Sequence, residues 1–437
     1  QRNRLFCMAV TTKEGVYKGI PSSWSSSIDK IIYGSSTDLQ DKYLFIISGG
    51  NVFLGSNPSN YITINDVSTI KDPGQSFNAL TIGTFTEKFE IDNELYPDTM
   101  PLAPVGGMGP SNSTSLLWDN KWAIKPDIVY EGGNLGIQAN SLIDPDSLQL
   151  LTTNSNFQER LLSVFADTSC AAALVSQLAS QISVEYDNYW PETIRGLIIH
   201  SADWTSVMLE SRNLGDLNLP QKKELLRRYG FGVPNLEKAL YSAKNSLTLI
   251  AEREIQPFVL ENGRVRTKDV HTYELPFPQD ILFDLAEAEV KLQLTLSYFI
   301  EPNPGNRNYS NKFNYQSHGL RFKMNNPLES LDDFKQRINS EIRTEEYESV
   351  AGGENWIIGP NSRNKGTIHK DLWEGTASEL ATKNLIAIFP VNGWYRTRPK
   401  LRKHDSTVRY SLIVSIEAPE IDIDLYTPII NQIPIEI

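Results

Sequence analysis

The pattern of apolar and polar positions changes texture near residue 245. Before that point, short apolar runs alternate with helical spacing. Residues 5–10 read as a buried strand and residues 43–47 as the next one. Between them, the stretch from Trp24 through Ile28, Ile31 and Ile32 has helical periodicity and stops at Gly34. This is a β-α-β unit. A third strand is expected at 79–83, a long helix from Ser169 to about Val184, and a further helix at 191–198, whose leading Pro191 sits where a missing N–H costs nothing. Strands interleaved with helices predict an α/β domain built on a parallel sheet.

Beyond residue 245 the period shortens. Residues 290–298 alternate strictly, 408–416 nearly so, and a shorter strand is expected at 385–389. A β-sandwich accommodates such strands. One helix interrupts them, with Leu331, Phe334, Ile338 and Ile342 on one face behind a Ser330/Asp333 capping pattern. The expected organisation is an α/β domain over 1–245 and a mostly β sandwich domain with one inserted helix over 246–437.

Candidate chemistry sits at the start of the long helix, in Phe165-Ala166-Asp167-Thr168-Ser169-Cys170-Ala171-Ala172-Ala173. A Thr-Ser pair running into an alanine-rich helix puts the Ser169 hydroxyl beside unpaired backbone N–H groups, where a developing oxyanion is stabilised. A plain helix cap would use the same residue type. Three other segments add to the picture. Ile46-Ile47-Ser48-Gly49-Gly50-Asn51 ends a strand with a close-approach backbone and a projecting side-chain amide. Lys125-Pro126-Asp127 and Gly132-Gly133-Asn134 form a rigid, glycine-ended stretch ahead of the serine. Tyr229-Gly230-Phe231-Gly232-Val233-Pro234-Asn235 closes the domain.

These four segments, in this order, resemble the subtilisin-like serine proteases, the subtilase or S8 family, over about residues 5–240. The resemblance implies a subtilisin-like parallel sheet with flanking helices and a serine endopeptidase. Ser169 matches the nucleophile of the family's Gly-Thr-Ser-Met-Ala motif, and Asn51 the oxyanion asparagine of its Ala-Gly-Asn motif. Met8, Ala9 and Val10, together with Ser48, Gly49 and Gly50, correspond to the backbone segments that pair with extended substrate and wall the first specificity pocket. Residues 53–72 and 135–157 look like insertions. The later half is similar to the sandwich domain that follows the protease domain in a branch of bacterial subtilases, some of which resemble proteases encoded beside regulatory AAA+ ATPases.

Two departures stand out. Asp167 replaces the family's glycine before Thr-Ser, against the substrate path. The second concerns the triad, which in this family runs Asp, His, Ser, so that the acid and base should precede Asn51. All five histidines, His200, His271, His318, His369 and His404, follow Ser169. The expectation is therefore that Asp and His lie on an upstream segment of the same polypeptide, either cleaved off by processing ahead of Gln1 or simply not included in this sequence. The competing expectation is a catalytically inactive subtilase-like binding or regulatory module.

The remaining candidates read as structural. His200 is expected at a helix end, Asp127 in a turn where it bonds local backbone, Cys170 as a small packed hydrophobe, and His369 with Asp371 in a surface loop. A formal charge of −12 argues against nucleic acid and anionic membrane surfaces as partners. The subtilase resemblance implies a peptide or protein substrate. No cofactor is implied, and structural calcium cannot be read from scattered Asp and Asn. Cys7 and Cys170 are the only cysteines, so a disulfide framework is not expected and a reducing, cytoplasmic compartment is.

Overall fold

The computed structural model describes residues 4–35, 42–55, 60–240, 246–277, 279–305, 314–344 and 355–417. The chain forms two compact units, residues 1–239 and 240–437. The expected boundary at 245/246 adjoins residues 241–245, which lie outside the described residues.

The first unit opens with β1 (Leu5–Met8), α1 (Ser23–Tyr33), β2 (Leu44–Ser48), α2 (Tyr61–Val67) and β3 (Leu80–Thr86). Short strands β4 (Met100–Pro101) and β5 (Gly107–Met108) follow, then β6 (Ile128–Glu131), β7 (Gly136–Gln138), β8 (Ser141–Ile143), β9 (Leu150–Thr153) and β10 (Leu162–Phe165). Helices α3 (Asp167–Glu185), α4 (Pro191–His200), α5 (Leu219–Tyr229) and α6 (Leu236–Leu240) complete it. β1, β2, β3 and β6 run parallel, β1 beside β2, β2 beside β3, and β6 against β3, while β5 pairs antiparallel at the end of β3. This is the α/β parallel sheet that the periodicity predicts.

Helix α1 begins and ends as its sequence dictates. Ser22 and Ser25 form a reciprocal capping box, and Gly34 closes the helix at φ 79°. Its buried Asp29 accepts from the Ser76 hydroxyl at 2.6 Å and from the Asn78 amide at 2.9 Å, tying the helix to the turn that feeds β3. Helix α3 lies across β1, β2, β3 and β6. Ala171 and Ala172 are buried at that contact, and their small side chains allow close approach.

One expectation about this sheet needs correction. Residues 5–8 do form a strand, but β1 is not buried: Phe6 and Cys7 are exposed. β1 has a single strand neighbour among the described residues, so one of its edges is uncovered. Phe6 instead stacks on Phe45 of β2, ring centroids 4.6 Å apart.

The second unit contains β11 (Ser246–Ile255), β12 (Phe258–Glu261), β13 (Arg264–Thr267), β14 (His271–Glu274), α7 (Gln279–Asp284), β15 (Glu289–Tyr298) and β16 (Gly319–Met324). Then come α8 (Leu331–Thr344), α9 (Pro360–Arg363), β17 (Ile368–Thr376), α10 (Ala377–Ala381), β18 (Leu385–Val391), α11 (Trp394–Thr397) and β19 (Val408–Glu417). Two larger antiparallel sheets result, in the orders β11-β19-β15-β17 and β14-β18-β16, with β12 and β13 pairing as a separate two-stranded one. The interrupting helix is α8, which seats Phe334 and Ile338 on Leu385, Ala387, Phe389 and Val391 of β18. The sheets touch through polar groups: Tyr410 of β19 bonds the Tyr273 hydroxyl and, at 2.7 Å, His271, both on β14.

His369 and Asp371 are not surface loop residues. Both lie fully buried in β17. His369 Nε2 meets the Tyr298 hydroxyl at 3.1 Å, and Asp371 accepts from Arg363 at 2.6 Å and from the Ile358 and Gly359 amides. Burial is tolerated because these polar groups have partners.

Asp127 also differs from its expected local role. Its carboxylate sits 2.5 Å from the buried Lys125 ammonium and accepts from the Thr81 amide at 2.7 Å, while Lys125 donates to Ala79 O at 2.9 Å. The partners Ala79 and Thr81 belong to the start of β3 and lie far away in sequence. Truncating one member of a buried pair strands the other charge. Asp127→Ala is therefore expected to destabilise the first unit by about 3–5 kcal/mol, read as a lowered midpoint in denaturant unfolding followed by Trp fluorescence.

Candidate active site

The site is assembled at the carboxyl end of the parallel sheet. After β2, Gly49 donates its N–H to Ile82 O of β3 at 2.8 Å, and Gly50 turns the chain at φ 91°, a conformation glycine adopts without strain. Asn51 follows, half-buried. From the other direction, β10 leads through extended Ala166 into Asp167, whose N–H donates to Gly132 O at 2.7 Å and whose φ of 70° starts α3. That left-handed φ explains the family's glycine at this position. Asp is among the few side chains that visit it.

Asn51 joins these two approaches. Its Oδ1 accepts from the Thr168 N–H at 3.2 Å and from the Thr168 hydroxyl at 2.5 Å. Its Nδ2 donates to Asp167 Oδ2 at 3.0 Å. The amide is thereby oriented without ambiguity, oxygen toward Thr168 and nitrogen toward Asp167. Ser169 is the third residue of α3, half-buried, in the first turn whose N–H groups have no intrahelical acceptor. Its hydroxyl bonds no other described residue.

The candidate substrate segments lie at the same sheet edge. Met8 pairs with Ile47 at the end of β1, and Ala9 and Val10 beyond it are exposed. Ser48, Gly49 and Gly50 are buried. Gly49 O accepts from the Lys71 N–H at 2.9 Å and from the Ser113 hydroxyl at 3.0 Å. A cleft of about 580 Å³ opens in the same unit, lined by Thr12, Gly15, Ile20, Ser22 and Asp72 among others, but neither Asn51 nor Ser169 borders it.

No described histidine hydrogen-bonds Ser169. His200 is the buried last residue of α4, and the other four histidines belong to the second unit. Cys170 is buried beneath the site, and burial, with Glu131 and Asp167 adding to it, pushes its thiol up to about 11, so it stays protonated at neutral pH. Burial pushes the Asp167 carboxyl above the usual range; Asp144 adds to the rise, and the Ser111 hydroxyl bonded to the carboxylate opposes it.

Two contributors escaped the sequence pattern. Ser111 reaches Asp167 from the Gly109-Pro110-Ser111 turn. Lys71, whose ammonium donates to Asn51 O, comes from the Ile70-Lys71-Asp72-Pro73-Gly74 turn inside a stretch that looked like an insertion. The Pro-Gly pair was the available signal.

The model of the subtilase family matches residues 1–232, more than half of the chain. The chain belongs to the subtilase family. Uncharacterized protein y4bN of Sinorhizobium fredii is 23% identical over 335 residues, covering 74% of this chain and 71% of that protein. Among solved structures, MycP1 with its N-terminal propeptide removed aligns at 15% identity over 54% of this chain, with a TM-score of 0.30. The epidermin leader peptide processing protease EpiP of Staphylococcus aureus aligns at 16% over 46%, with a TM-score of 0.27. The chain spans 61% of the former structure's length and 40% of the latter's, less than two thirds of either.

The raised Asp167 carboxyl makes a stability prediction. A folded pKa above the unfolded value favours the fold fully below the unfolded value, near 3.9, and that contribution is lost as pH rises through the folded value. Asp167→Asn is therefore expected to be more stable than wild type at pH 7, with the gap closing toward pH 4. Urea unfolding at both pH values measures this, and a gap independent of pH would contradict it.

Proposed function

We propose that this chain carries the nucleophile and oxyanion site of a serine endopeptidase of subtilisin type, with the catalytic Asp and His supplied by an upstream segment of the same polypeptide. The observation that carries this reading is the pair of bonds from Thr168 to Asn51 Oδ1, which fixes a side-chain amide against the first turn of the helix bearing Ser169. In the assembled enzyme, Ser169 Oγ attacks the peptide carbonyl while the upstream His takes its proton and later gives it to the leaving amine. The oxyanion is received by the Ser169 N–H and by the Asn51 N–H not given to Asp167. Substrate lies extended along residues 8–10 and 48–50 as an added strand. The chemistry needs no cofactor.

The sheet edge supports the placement of the missing residues. The outer edge of β1 has no partner among the described residues, and a strand added there would end beside Met8. The antiparallel sheets of the second unit we read as a β-sandwich that braces the protease domain or recruits a partner.

One observation favours the rival reading of an inactive binding module: Asp167 already takes an N–H of Asn51 and brings negative charge to where an oxyanion would form. A fluorophosphonate probe separates the two. With the full-length protein, labelling is expected at Ser169 and lost in Ser169→Ala; an unlabelled wild type would decide for the module. Losing an oxyanion donor costs enzymes of this family about a hundred- to a thousandfold in kcat, and Asn51→Ala should fall in that range. Asp167→Gly, which removes the charge and suits the positive φ, is expected to raise kcat/KM on a peptide substrate.

A further inference from the structure

Lys71 is a charged residue whose side chain runs along the proposed pocket wall. Its backbone N–H bonds Gly49 O at 2.9 Å, and its ammonium donates to Asn51 O, so the side chain spans the backbone of residues 49–51. Gly50 makes this possible. A Cβ built there would lie 2.6–2.7 Å from Lys71 Cδ, Cγ and Cβ, so any larger residue would push the lysine off the wall. Among the described residues no carboxylate lies within ion-pair distance of Lys71; beside the Asn51 carbonyl it has only the Phe53 ring, 5.5 Å away. An ammonium held half-buried without an anionic partner leaves donors for an incoming anion. Burial also pulls its pKa down, as expected for a cation short of counter-charge.

We propose that Lys71 sets substrate specificity by receiving an acidic side chain, Glu or Asp, at the residue whose carbonyl Ser169 attacks. This rests on the protease reading, which makes residues 48–50 the wall beside that side chain. The Lys71 ammonium then meets the substrate carboxylate and gains the counter-charge that the fold withholds. A neutral isostere of the same size would fill the space without that pairing, and a basic side chain would meet like charge.

The test uses the full-length protein and three peptides differing only at that residue: Glu, Gln and Lys. Wild type is expected to prefer Glu over Gln by about tenfold or more in kcat/KM, the range of a hydrogen bond to a charged group, and to cleave the Lys peptide least. Lys71→Met should bring the Glu/Gln ratio close to one, Lys71→Arg should keep the preference, and Lys71→Glu should invert the order of the Glu and Lys peptides. Equal rates on Glu and Gln by wild type, or a Lys71→Met variant that slows all three peptides by one factor, would overturn the proposal and leave Lys71 a support for the Asn51 carbonyl. Ser169 labelling by fluorophosphonate, run alongside, separates the two levels. Labelling without charge preference overturns this inference alone, and no labelling overturns the protease reading together with it.

Discussion

The first unit depends on the buried Lys125–Asp127 pair. Removing two charges from water is costly, and this pair is compensated at every side: Lys125 bonds Ala79 O, and Asp127 accepts from the Thr81 N–H and returns its own N–H to Thr81 O. Asp127 O also receives the Phe231 N–H. Gly230 passes so close that a Cβ there would fall 2.1 Å from that same oxygen. The start of β3 is further gripped by Asp29 on the Asn78 N–H and by Arg195 on Asn78 O. Helix α1, helix α4 and the Lys-Pro-Asp turn therefore converge on residues 78–81, and the closing Gly-Phe-Gly turn packs on Asp127 behind them. From there β3 runs to Thr84, against which Gly132 packs, and Gly132 O holds the first residue of α3. The clamp at one end of β3 thus fixes the site at the other.

This arrangement explains what the sequence made legible. The Lys-Pro-Asp and Gly-Phe-Gly segments stand out because they answer backbone demands that few residues meet: a close approach, a positive φ, a buried charge with one partner two residues away. Strands β2, β3, β15, β18 and β19 and helices α1, α3, α4 and α8 were readable from period alone, because each buries one consistent face or, as in β3, every position. Where burial and polarity part company, the pattern misled. His369, Lys370 and Asp371 look like solvated loop yet are buried, since their partners Arg363 and Tyr298 come from other elements. β1 looked interior because apolarity reports what a strand can bury and is silent on whether a neighbour covers it. The candidate site was legible as Ser169 and Asn51. Lys71 and Ser111 were not, since each arrives on a turn that carries no chemistry of its own.

Asp167 shows why a site can depart from the local rules that identify it. An acidic residue in the first turn of a helix is favoured by the helix dipole, so the fold gains from Asp here. Against this stand a left-handed φ and a carboxylate driven upward by burial. The Asn51 and Ser111 bonds recover part of that cost. Glycine would avoid the strain and lose the bonds. The residue therefore trades backbone ease for a fixed orientation of Asn51.

Asn51 is consequently held from two sides by opposite charges, the Lys71 ammonium on its carbonyl and the Asp167 carboxylate on its side-chain nitrogen. The two act differently on an incoming peptide. Asp167 engages one N–H of the amide and, where an oxyanion forms, adds repulsion that rises with its ionisation. Under the proposed protease reading, Lys71 would attract negative charge along residues 49–51 and lose nothing as an oxyanion develops, because its bond is to a backbone carbonyl outside the reaction. An acidic substrate side chain would bring its charge to the Lys71 side of Asn51, away from Asp167. The same pair of charges that makes the empty site costly to build would then discriminate between substrates by where on Asn51 their negative charge falls.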